Sequence, residues 1–522
     1  MPITFEVRET DLMGRNGVLK VGGRSLETPC LVPVVHPVLR DIPLAKFTEM
    51  GFGALMTNAF ITYRRRREEA LEKGLHGMLG YDGAIMTDSG GYQVLRYGQV
   101  DMTPATIAEF QSAAGSDLAV TLDRPTGYSL SEEYARETMR VSLEGARETI
   151  ERFGSSKTTW VGPIQGGLFS GLVRESARGL LGAGFEVLAL GSPVELMDNY
   201  LFSDLVRMIV AARRAMPYSV PLHLFGAGHP LTMPLSVALG CDTFDSASYV
   251  LFARQGRYMT ERGTLMLEEM ANLPCSCPVC NSTTKTDLVL MERRERVSRL
   301  SLHNLYLLRQ DVLRCREAIS EGRLWDLVEE RASTHPRAAA AFRELAANSE
   351  WLAGGTPFLK ERGLLIRSEL DLVRPELATA RAHLAPMMRK RVRGGAEGAV
   401  LIAGQGGERP LSRSSLRQRL EGTARGRKGS RPPDVYKLHQ QLGPYPAELE
   451  FVYPFTQTVA EGTADAAQVR DAVARLRSMG YSKVVVLKGR GEKRGGGGER
   501  ASEVRPAAKR SRRGTEEAAP QE

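Results

Sequence analysis

Three aspartates in the first 250 residues follow short apolar runs and are well suited to chemistry. Asp88 ends the run that begins at Ala84 and is followed by a serine and two glycines. Asp123 and Asp245 end two later runs in the same way. One carboxylate can attack a carbon atom while a second carries a proton, so a set of carboxylates predicts an active site. A single aspartate after a strand is more often a helix N-cap, and the prediction therefore depends on the set.

The elements that must position these residues repeat along the same region. A short apolar segment, a polar turn and a longer stretch with helical spacing recur eight times. Strands that alternate with helices indicate parallel pairing, and eight of them predict an α/β fold of the (β/α)8 TIM-barrel type; a doubly wound open sheet is the alternative. The predicted strands are Leu31–Val35, Ala54–Asn58, Ala84–Asp88, Leu118–Asp123, Thr158–Gln165, Phe185–Gly191, Val220–Gly228 and Cys241–Asp245.

Active sites in this fold lie at the carboxyl ends of the strands. The unusual residues follow six consecutive predicted strands, so they are expected to face one cavity. That cavity would combine three carboxylates with an amide, aromatic rings and backbone N–H groups, which is typical of a binding site for a flat, hydrogen-bonding ligand. Besides the aspartates, its predicted members are Tyr92, Gln165, Gly166, Gly191, Ser192 and Phe225.

A second cluster predicts a metal site. Cys275, Cys277 and Cys280 lie within six residues, and His303 follows in a stretch with helical spacing. Three thiolates and one imidazole complete the tetrahedral shell that zinc prefers, with no position left for water. We therefore predict one structural zinc ion; the alternative is a buried cysteine cluster with an unrelated histidine.

The overall composition limits the class of protein. The 522-residue chain has 70 basic and 61 acidic side chains, which gives a formal charge of +9 and favours a polyanionic partner. The N-terminal residues do not resemble a signal peptide, and no run of 18 apolar residues occurs. A cytoplasmic protein without membrane association is expected.

Four sequence motifs occur along the first 250 residues, and the Cys/His set follows them. The motifs are TDSGGYQ (Thr87–Gln93), IQGG (Ile164–Gly167), LFGAGHP (Leu224–Pro230) and CDTFDSASY (Cys241–Tyr249). Together and in this order, they resemble the archaeal-type tRNA-guanine transglycosylases. A weaker similarity in Leu442–Phe455 matches the C-terminal extension of the archaeal enzymes.

The resemblance implies an exchange of guanine at position 15 of the tRNA D-loop for 7-cyano-7-deazaguanine, in archaeosine biosynthesis. It implies that Asp245 attacks the ribose and forms a covalent aspartyl–tRNA intermediate, with Asp88 as general acid/base. The base edge would be bound by Asp123 and Gln165. Further implied contacts to the base are the backbone near Gly166, Gly191 and Ser192 and a stacking pair of Tyr92 and Phe225.

One departure from the family pattern affects the choice of base. Archaeal relatives commonly have a second glycine and a valine where this chain has Ser192 and Pro193. Proline lacks a backbone N–H, so one donor near the expected 7-substituent is lost.

The C-terminal half departs further from the pattern. We predict a catalytic barrel over residues 1–355 with a zinc subdomain at about 270–320, and small α+β domains at 356–425 and 426–489. The glycine-rich and basic residues 490–522 cannot form a core and predict a disordered tail. No complete PUA domain is recognisable, so a separate PUA-type RNA-binding protein is a possible partner. The family also implies a homodimer.

Two other functions fit parts of the pattern. A catalytically silent, tRNA-binding paralogue needs no nucleophile, whereas this chain has both Asp88 and Asp245. A nucleoside or glycoside hydrolase on the same barrel would also use two carboxylates. The predicted stacking pair and the basic C-terminal region favour a tRNA base over a free sugar.

Overall fold

The computed structural model describes residues 3–91, 102–128, 131–393, 398–403, 433–460, 464–488 and 502–503. The chain divides into two compact units. The first comprises Met1–Arg362 with Val373–Glu376, and the second comprises Gly363–Leu372 with Leu377–Glu522. The predicted chemistry belongs to the first unit.

The first unit contains eight parallel strands in a nearly closed barrel, which confirms the predicted fold class. The strands are β4 (Cys30–Pro33), β5 (Ala54–Asn58), β6 (Ala84–Asp88), β7 (Leu118–Val120), β8 (Thr159–Ile164), β9 (Val187–Leu190), β10 (Leu222–Leu224) and β11 (Thr243–Ser246). Their order around the barrel is β4–β11–β10–β9–β8–β7–β6–β5, and a bridge between Val34 and Met56 connects β4 to β5. An antiparallel sheet precedes them, formed by β1 (Thr4–Asp11), β2 (Gly14–Val21) and β3 (Arg24–Thr28).

The barrel strands are short, and both of their faces are buried. All five residues of β5 are buried, and one core cluster takes apolar side chains from six of the eight strands. In the sequence, such strands are continuous apolar runs, as expected for parallel sheets covered by helices. The polar residues that follow each run therefore mark the place where the chain leaves the core.

Helices follow the strands, and several of them begin directly after a residue whose side chain caps the helix N-terminus. The helices of this part are α1 (Leu44–Glu49), α2 (Ala59–Leu79), α3 (Pro104–Ala113), α4 (Glu132–Phe153), α5 (Ser170–Gly182), α6 (Val194–Asp198), α7 (Phe202–Ala215), α8 (Met233–Ala238) and α9 (Ser248–Arg254). Asn58, Thr103 and Ser131 accept hydrogen bonds from backbone N–H groups at the starts of α2, α3 and α4.

The region after the barrel strands carries the Cys/His set. A hairpin of β12 (Arg257–Thr260) and β13 (Gly263–Met266) precedes a 28-residue helix, α12 (Arg293–Ser320). A short 3-10 turn, Leu267–Glu269, follows the hairpin. The other helices are α10 (Pro278–Asn281), α11 (Lys285–Leu290), α13 (Leu324–Ala332), α14 (Pro336–Ala346) and α15 (Ser349–Leu352).

The second unit contains a five-stranded sheet that crosses the boundary predicted at residue 425. Strand β15 (Gly398–Ala403) pairs in parallel with β16 (Asp434–His439) and β19 (Lys483–Lys488), so residues on both sides of that boundary share one sheet. Its other strands are β17 (Gly443–Pro446) and β20 (Ser502–Glu503), and β14 (Leu364–Ile366) pairs separately with β18 (Thr458–Ala460). Helices α16 (Pro375–Arg393) and α17 (Ala466–Ser478) and the 3-10 turns Glu369–Val373 and Ala447–Leu449 complete it.

Most of the predicted tail, residues 490–522, lies outside the described residues; the exception is β20, which pairs with β19. Among the helices that the structure describes, none is long and apolar enough to cross a membrane.

Candidate active site

The carboxyl ends of the barrel strands bring the predicted catalytic residues to one mouth. Strands β5 and β6 pair in register, so that Asn58 lies beside Asp88. Strand β11 lies next to β4 on the other side of the barrel closure and ends with Asp245 and Ser246. The charge of Asp245 acts on Asp88, and that of Asp88 acts on Asp123, so the three carboxylates form one electrostatic group.

Asp88 is held by two hydrogen bonds at the end of β6. The Asn58 amide donates to its Oδ2 at 2.8 Å, and the Gly90 N–H donates to its Oδ1 at 3.2 Å. Desolvation, together with the nearby charge of Asp245, raises the pKa of Asp88 to about 6, while the hydrogen bonds from Gly90 and Asn58 oppose the shift. A carboxyl group with this pKa can both donate and accept a proton near neutral pH.

Asp123 lies directly against the loop that follows β6. A Cβ atom at Gly91 would meet its Oδ1 at 2.2 Å, so only glycine permits this approach. Desolvation and then the charge of Asp88 raise the pKa of Asp123 to about 7, while the hydrogen bond from Gln165 opposes the shift.

The side-chain amide of Gln165 has one defined orientation. Its Oε1 accepts hydrogen bonds from the Thr126 N–H and from the Ser192 hydroxyl, both at 3.0 Å. The opposite end, Nε2, therefore donates to Asp123 Oδ2 at 2.5 Å and retains a second N–H. Ser192 has a φ of +64°, a conformation that non-glycine residues rarely adopt and that occurs preferentially at functional sites.

Asp245 is 7% exposed, and its Oδ1 is bound on two sides. The Gly226 N–H donates to Oδ1 at 2.9 Å, and His223 Nε2 lies 3.0 Å from the same atom. Asp245 is thus fixed in the wall of the mouth through Oδ1, while Oδ2 receives no hydrogen bond from the described residues.

Other predicted residues have different surroundings. The Gly191 N–H donates to the Ile164 carbonyl at 2.9 Å, and the Gly166 N–H donates to the Thr126 hydroxyl at 3.3 Å, so both groups already have acceptors. Phe225 is partly buried and packs edge-on against His223, with ring centres 4.9 Å apart. Tyr92 lies outside the described residues.

Two residues of the site were not predicted. Asn58 binds Asp88, and His223 binds Asp245. The register of the parallel strands could have indicated Asn58, because Asn58 ends β5 at the same level at which Asp88 ends β6. A histidine inside the apolar run of β10 is the signal for His223.

The shifted pKa of Asp123 predicts a pH-dependent effect on stability. In the folded protein this carboxyl keeps its proton up to about pH 7, whereas in the unfolded chain it loses the proton near 3.8. Between these values the folded state binds more protons, so its stability falls as pH rises. The free energy of unfolding of Asp123→Asn should therefore exceed that of wild type at pH 8 by on the order of 1 kcal/mol, after allowance for partial exposure, with a correspondingly higher melting temperature. Near pH 4 the two proteins should melt at the same temperature. Thermal melts at both pH values test this, with the exposed Asp82→Asn as control; a lower melting temperature at pH 8 would contradict it.

The Cys275, Cys277, Cys280 and His303 side chains form a second site, on the segment before α12 and on α12 itself. Their ligand atoms lie within 4.8 Å of one another. His303 Nδ1 lies 3.5 Å from Cys277 Sγ and 3.4 Å from Cys280 Sγ. His303 Nε2 lies 2.9 Å from the Met259 carbonyl, which can only accept, so Nε2 carries the proton and Nδ1 presents its lone pair to the thiols. The four residues therefore fit a metal ion.

A comparison with protein families supports the family resemblance that the sequence motifs indicate. The profile of the family described as Queuine tRNA-ribosyltransferase matches residues 11–337, which is more than half of the chain. The chain belongs to this family. All the predicted site residues and the four metal ligands lie inside the part that matches the ribosyltransferase profile.

Curated members of the ribosyltransferase family confirm the archaeal-type resemblance. A Thermococcus onnurineus protein is 41% identical over 381 residues, and an Aeropyrum pernix protein is 43% identical over 357 residues. A Methanopyrus kandleri protein is 41% identical over 386 residues. Each is named tRNA-guanine(15) transglycosylase. The matches cover 73%, 67% and 74% of this chain and 65%, 69% and 83% of the relatives, so the chain spans slightly less than two thirds of the Thermococcus protein.

Proposed function

We propose that the protein is a tRNA-guanine(15) transglycosylase that exchanges the guanine for 7-cyano-7-deazaguanine, as a step towards archaeosine. The observation that carries this proposal is the group of Asp88, Asp123 and Asp245 at the mouth of a barrel of this family. The printed name of the relatives supplies the tRNA position. The identity of the incoming base comes from the resemblance.

In the first step, Asp245 Oδ2 attacks C1′ of the target ribose. The C1′–N9 bond breaks, guanine leaves with the bonding electrons, and Asp88 supplies a proton to the departing purine. An ester between Asp245 and the ribose forms. The pKa of Asp88, about 6, suits this role because a fraction of the group remains protonated near neutral pH.

In the second step, the incoming base gives a proton to Asp88 and its N9 attacks C1′ from the face that guanine left. The ester bond breaks and Asp245 leaves as a carboxylate. Two inversions at C1′ return the original configuration, and the phosphodiester chain is never cut. This is why a carboxylate nucleophile, and not water, is required.

Base recognition is assigned to side chains and not to the two glycine amides that already have acceptors. Asp123 can accept from the N–H groups of a guanine-like edge, and the second N–H of Gln165 can donate to its carbonyl oxygen. Phe225 offers one aromatic face, and Tyr92 is proposed to offer the other. Since Pro193 cannot donate, competition between guanine and 7-cyano-7-deazaguanine will show how strongly this chain selects the 7-substituent.

We further propose that Cys275, Cys277, Cys280 and His303 hold one zinc ion per chain. Three sulfur ligands and one nitrogen ligand match zinc, and the closed shell makes the ion structural. When bound, it would cross-link the segment before α12 to that helix and would supply no group to the chemistry of base exchange.

Basic side chains beside β4 and β5 are proposed to bind phosphates that flank the target ribose. The loop after β4 begins next to Asp245, because Val32 pairs with Asp245 in the barrel, and it contains Arg40. Arg64 and Arg65 are exposed in the first turns of α2, after β5. A flipped-out nucleotide brings its flanking phosphates to this rim.

Replacement of Arg64 and Arg65 by Gln should weaken tRNA binding without slowing the chemistry. We expect KM for tRNA to rise several-fold, kcat to stay unchanged, and the dependence of log KM on log salt concentration to become shallower by about one per lost phosphate contact. Arg140→Gln, which changes an exposed arginine on the outer helix α4, is the matched control. Equal effects of both changes would contradict a phosphate site at the rim.

Incorporation of labelled guanine into a tRNA transcript with G15 tests the proposed function, with a transcript carrying adenine at position 15 as control. Incorporation into the first transcript alone is the expected result. Release of guanine without incorporation would indicate a hydrolase, and tight binding without release would indicate a silent paralogue.

If weak tRNA binding limits exchange, addition of a PUA-type RNA-binding protein should restore it. We also propose a homodimer, as the family resemblance implies, and the molar mass of the purified protein in light scattering tests it.

A further inference from the structure

We propose that His223 is a positioning residue for the nucleophile and that Thr243 sets its tautomer. His223 holds Asp245 Oδ1, so that Oδ2 is the oxygen that attacks. This inference rests on the proposed function, because it assigns the two oxygens of Asp245 their parts in base exchange.

The contacts of His223 use both ring nitrogens. The side chain is 1% exposed, with Nε2 at 3.0 Å from Asp245 Oδ1 and Nδ1 at 2.8 Å from the Thr243 hydroxyl. An ionised carboxylate can only accept a hydrogen bond, so Nε2 must carry a proton. In the neutral ring Nδ1 then accepts from the Thr243 hydroxyl, and one tautomer is fixed.

Strand register places these groups together. His223 of β10 pairs with Thr243 of β11, and Asp245 lies two residues further along the same face of β11. The ring therefore spans Thr243 and Asp245 on the neighbouring strand. Phe225 packs edge-on over the ring, with centres 4.9 Å apart, and restricts its movement.

The two oxygens of Asp245 consequently differ. Oδ1 is 2.9 Å from the Gly226 N–H and 3.0 Å from His223 Nε2, whereas Oδ2 receives no hydrogen bond from the part of the chain that the structure describes. Oδ2 can therefore form the bond to C1′, and Oδ1 becomes the carbonyl oxygen of the ester. When the ester breaks, negative charge returns to the carboxylate, and the two donors on Oδ1 stabilise it.

Variants at 223 separate positioning from packing. His223→Leu removes the donor, and we expect the single-turnover rate of ester formation to fall about 10- to 100-fold, comparable to the loss when a hydrogen-bond partner that orients a metal ligand is removed. KM for tRNA should not change. His223→Gln retains an N–H donor and should recover most of the rate, although its packing against Phe225 differs from that of histidine. Equal losses in both variants, accompanied by equal falls in melting temperature, would overturn the proposal.

Thr243→Val tests the tautomer and remains informative if His223→Leu does not fold. In the wild-type background it should lower the rate of ester formation, because the imidazole can then carry its proton on either nitrogen. In the His223→Gln background it should have no further effect, since glutamine has no tautomer to set. Additive losses would overturn the proposed role of Thr243.

Nitrogen NMR of isotope-labelled histidine separates this inference from the proposed function. The chain has eight histidines, and the signal that disappears in His223→Gln identifies His223. A protonated Nε2 and an unprotonated Nδ1 are expected in the wild-type protein without tRNA, with a mixture of tautomers in Thr243→Val. A protonated Nδ1 with an unprotonated Nε2 would overturn the inference even if guanine exchange is found. Failure of wild type to exchange guanine would instead reject the proposed function.

Discussion

Asp245→Asn is expected to abolish base exchange, with a loss of about 10⁴-fold or more in the single-turnover rate. The amide oxygen is a weak nucleophile and cannot form a stable ester with the ribose. The fold should survive, because the asparagine oxygen can still accept hydrogen bonds from the Gly226 N–H and from His223. Guanine incorporation and the yield of a covalent protein–RNA adduct after a denaturing quench are the two measurements.

The control for this change is Asp82→Asn. Asp82 is exposed and lies just before β6, at the end of the barrel opposite the mouth, so its replacement should leave both measurements at the wild-type level. An Asp245→Asn protein that still forms the adduct would show that another group attacks the ribose. Asp88 would then be the next candidate, since its carboxyl group interacts electrostatically with Asp245.

The sequence was sufficient to predict the barrel because parallel strands buried on both faces are continuous apolar runs. β5 and β6 have the predicted bounds, Ala54–Asn58 and Ala84–Asp88. The predicted strand Val220–Gly228 was too long: β10 spans only Leu222–Leu224. After Leu224 the backbone turns, which directs the Gly226 N–H to Asp245 instead of to a neighbouring strand. The residues that build the site are thus the ones that end the strand early.

Residue patterns alone could not predict the pairwise contacts within the site. Gly191 was predicted to help bind the base, but strand pairing uses its N–H, since the ladder between β8 and β9 extends one residue past the end of β9. Asn58 and His223 were missed because each depends on a neighbouring strand that is distant in the sequence. The sheet of the second unit was missed for the same reason: β15 pairs with β19, more than 80 residues later.

Loss of the metal site is expected to destabilise the region around α12. Cys277→Ser should reduce the zinc content from one ion per chain and lower the free energy of unfolding by several kcal/mol, against the roughly 10–16 kcal/mol by which zinc stabilises small zinc domains. The structural reason is that α12 carries His303, whose ring stacks on Tyr258 at 3.7 Å and whose Nε2 binds the Met259 carbonyl. Metal analysis and thermal melts, with and without a chelator, measure both quantities.

Loss of the metal should also disturb the active site through Asn304, the residue that follows the metal ligand His303. Asn304 accepts a hydrogen bond from the Met259 N–H at 2.9 Å and donates to the Tyr249 carbonyl at 3.1 Å, and Tyr249 belongs to α9, directly after β11. Base exchange should therefore fall together with the melting temperature in Cys277→Ser, whereas Asp245→Asn should lose exchange and keep both zinc and stability. Cys315→Ala changes a fully buried thiol on the same helix and should retain one zinc ion per chain, with a loss of only about 1 kcal/mol. Full zinc content and an unchanged melting temperature in Cys277→Ser would exclude the proposed ligand set.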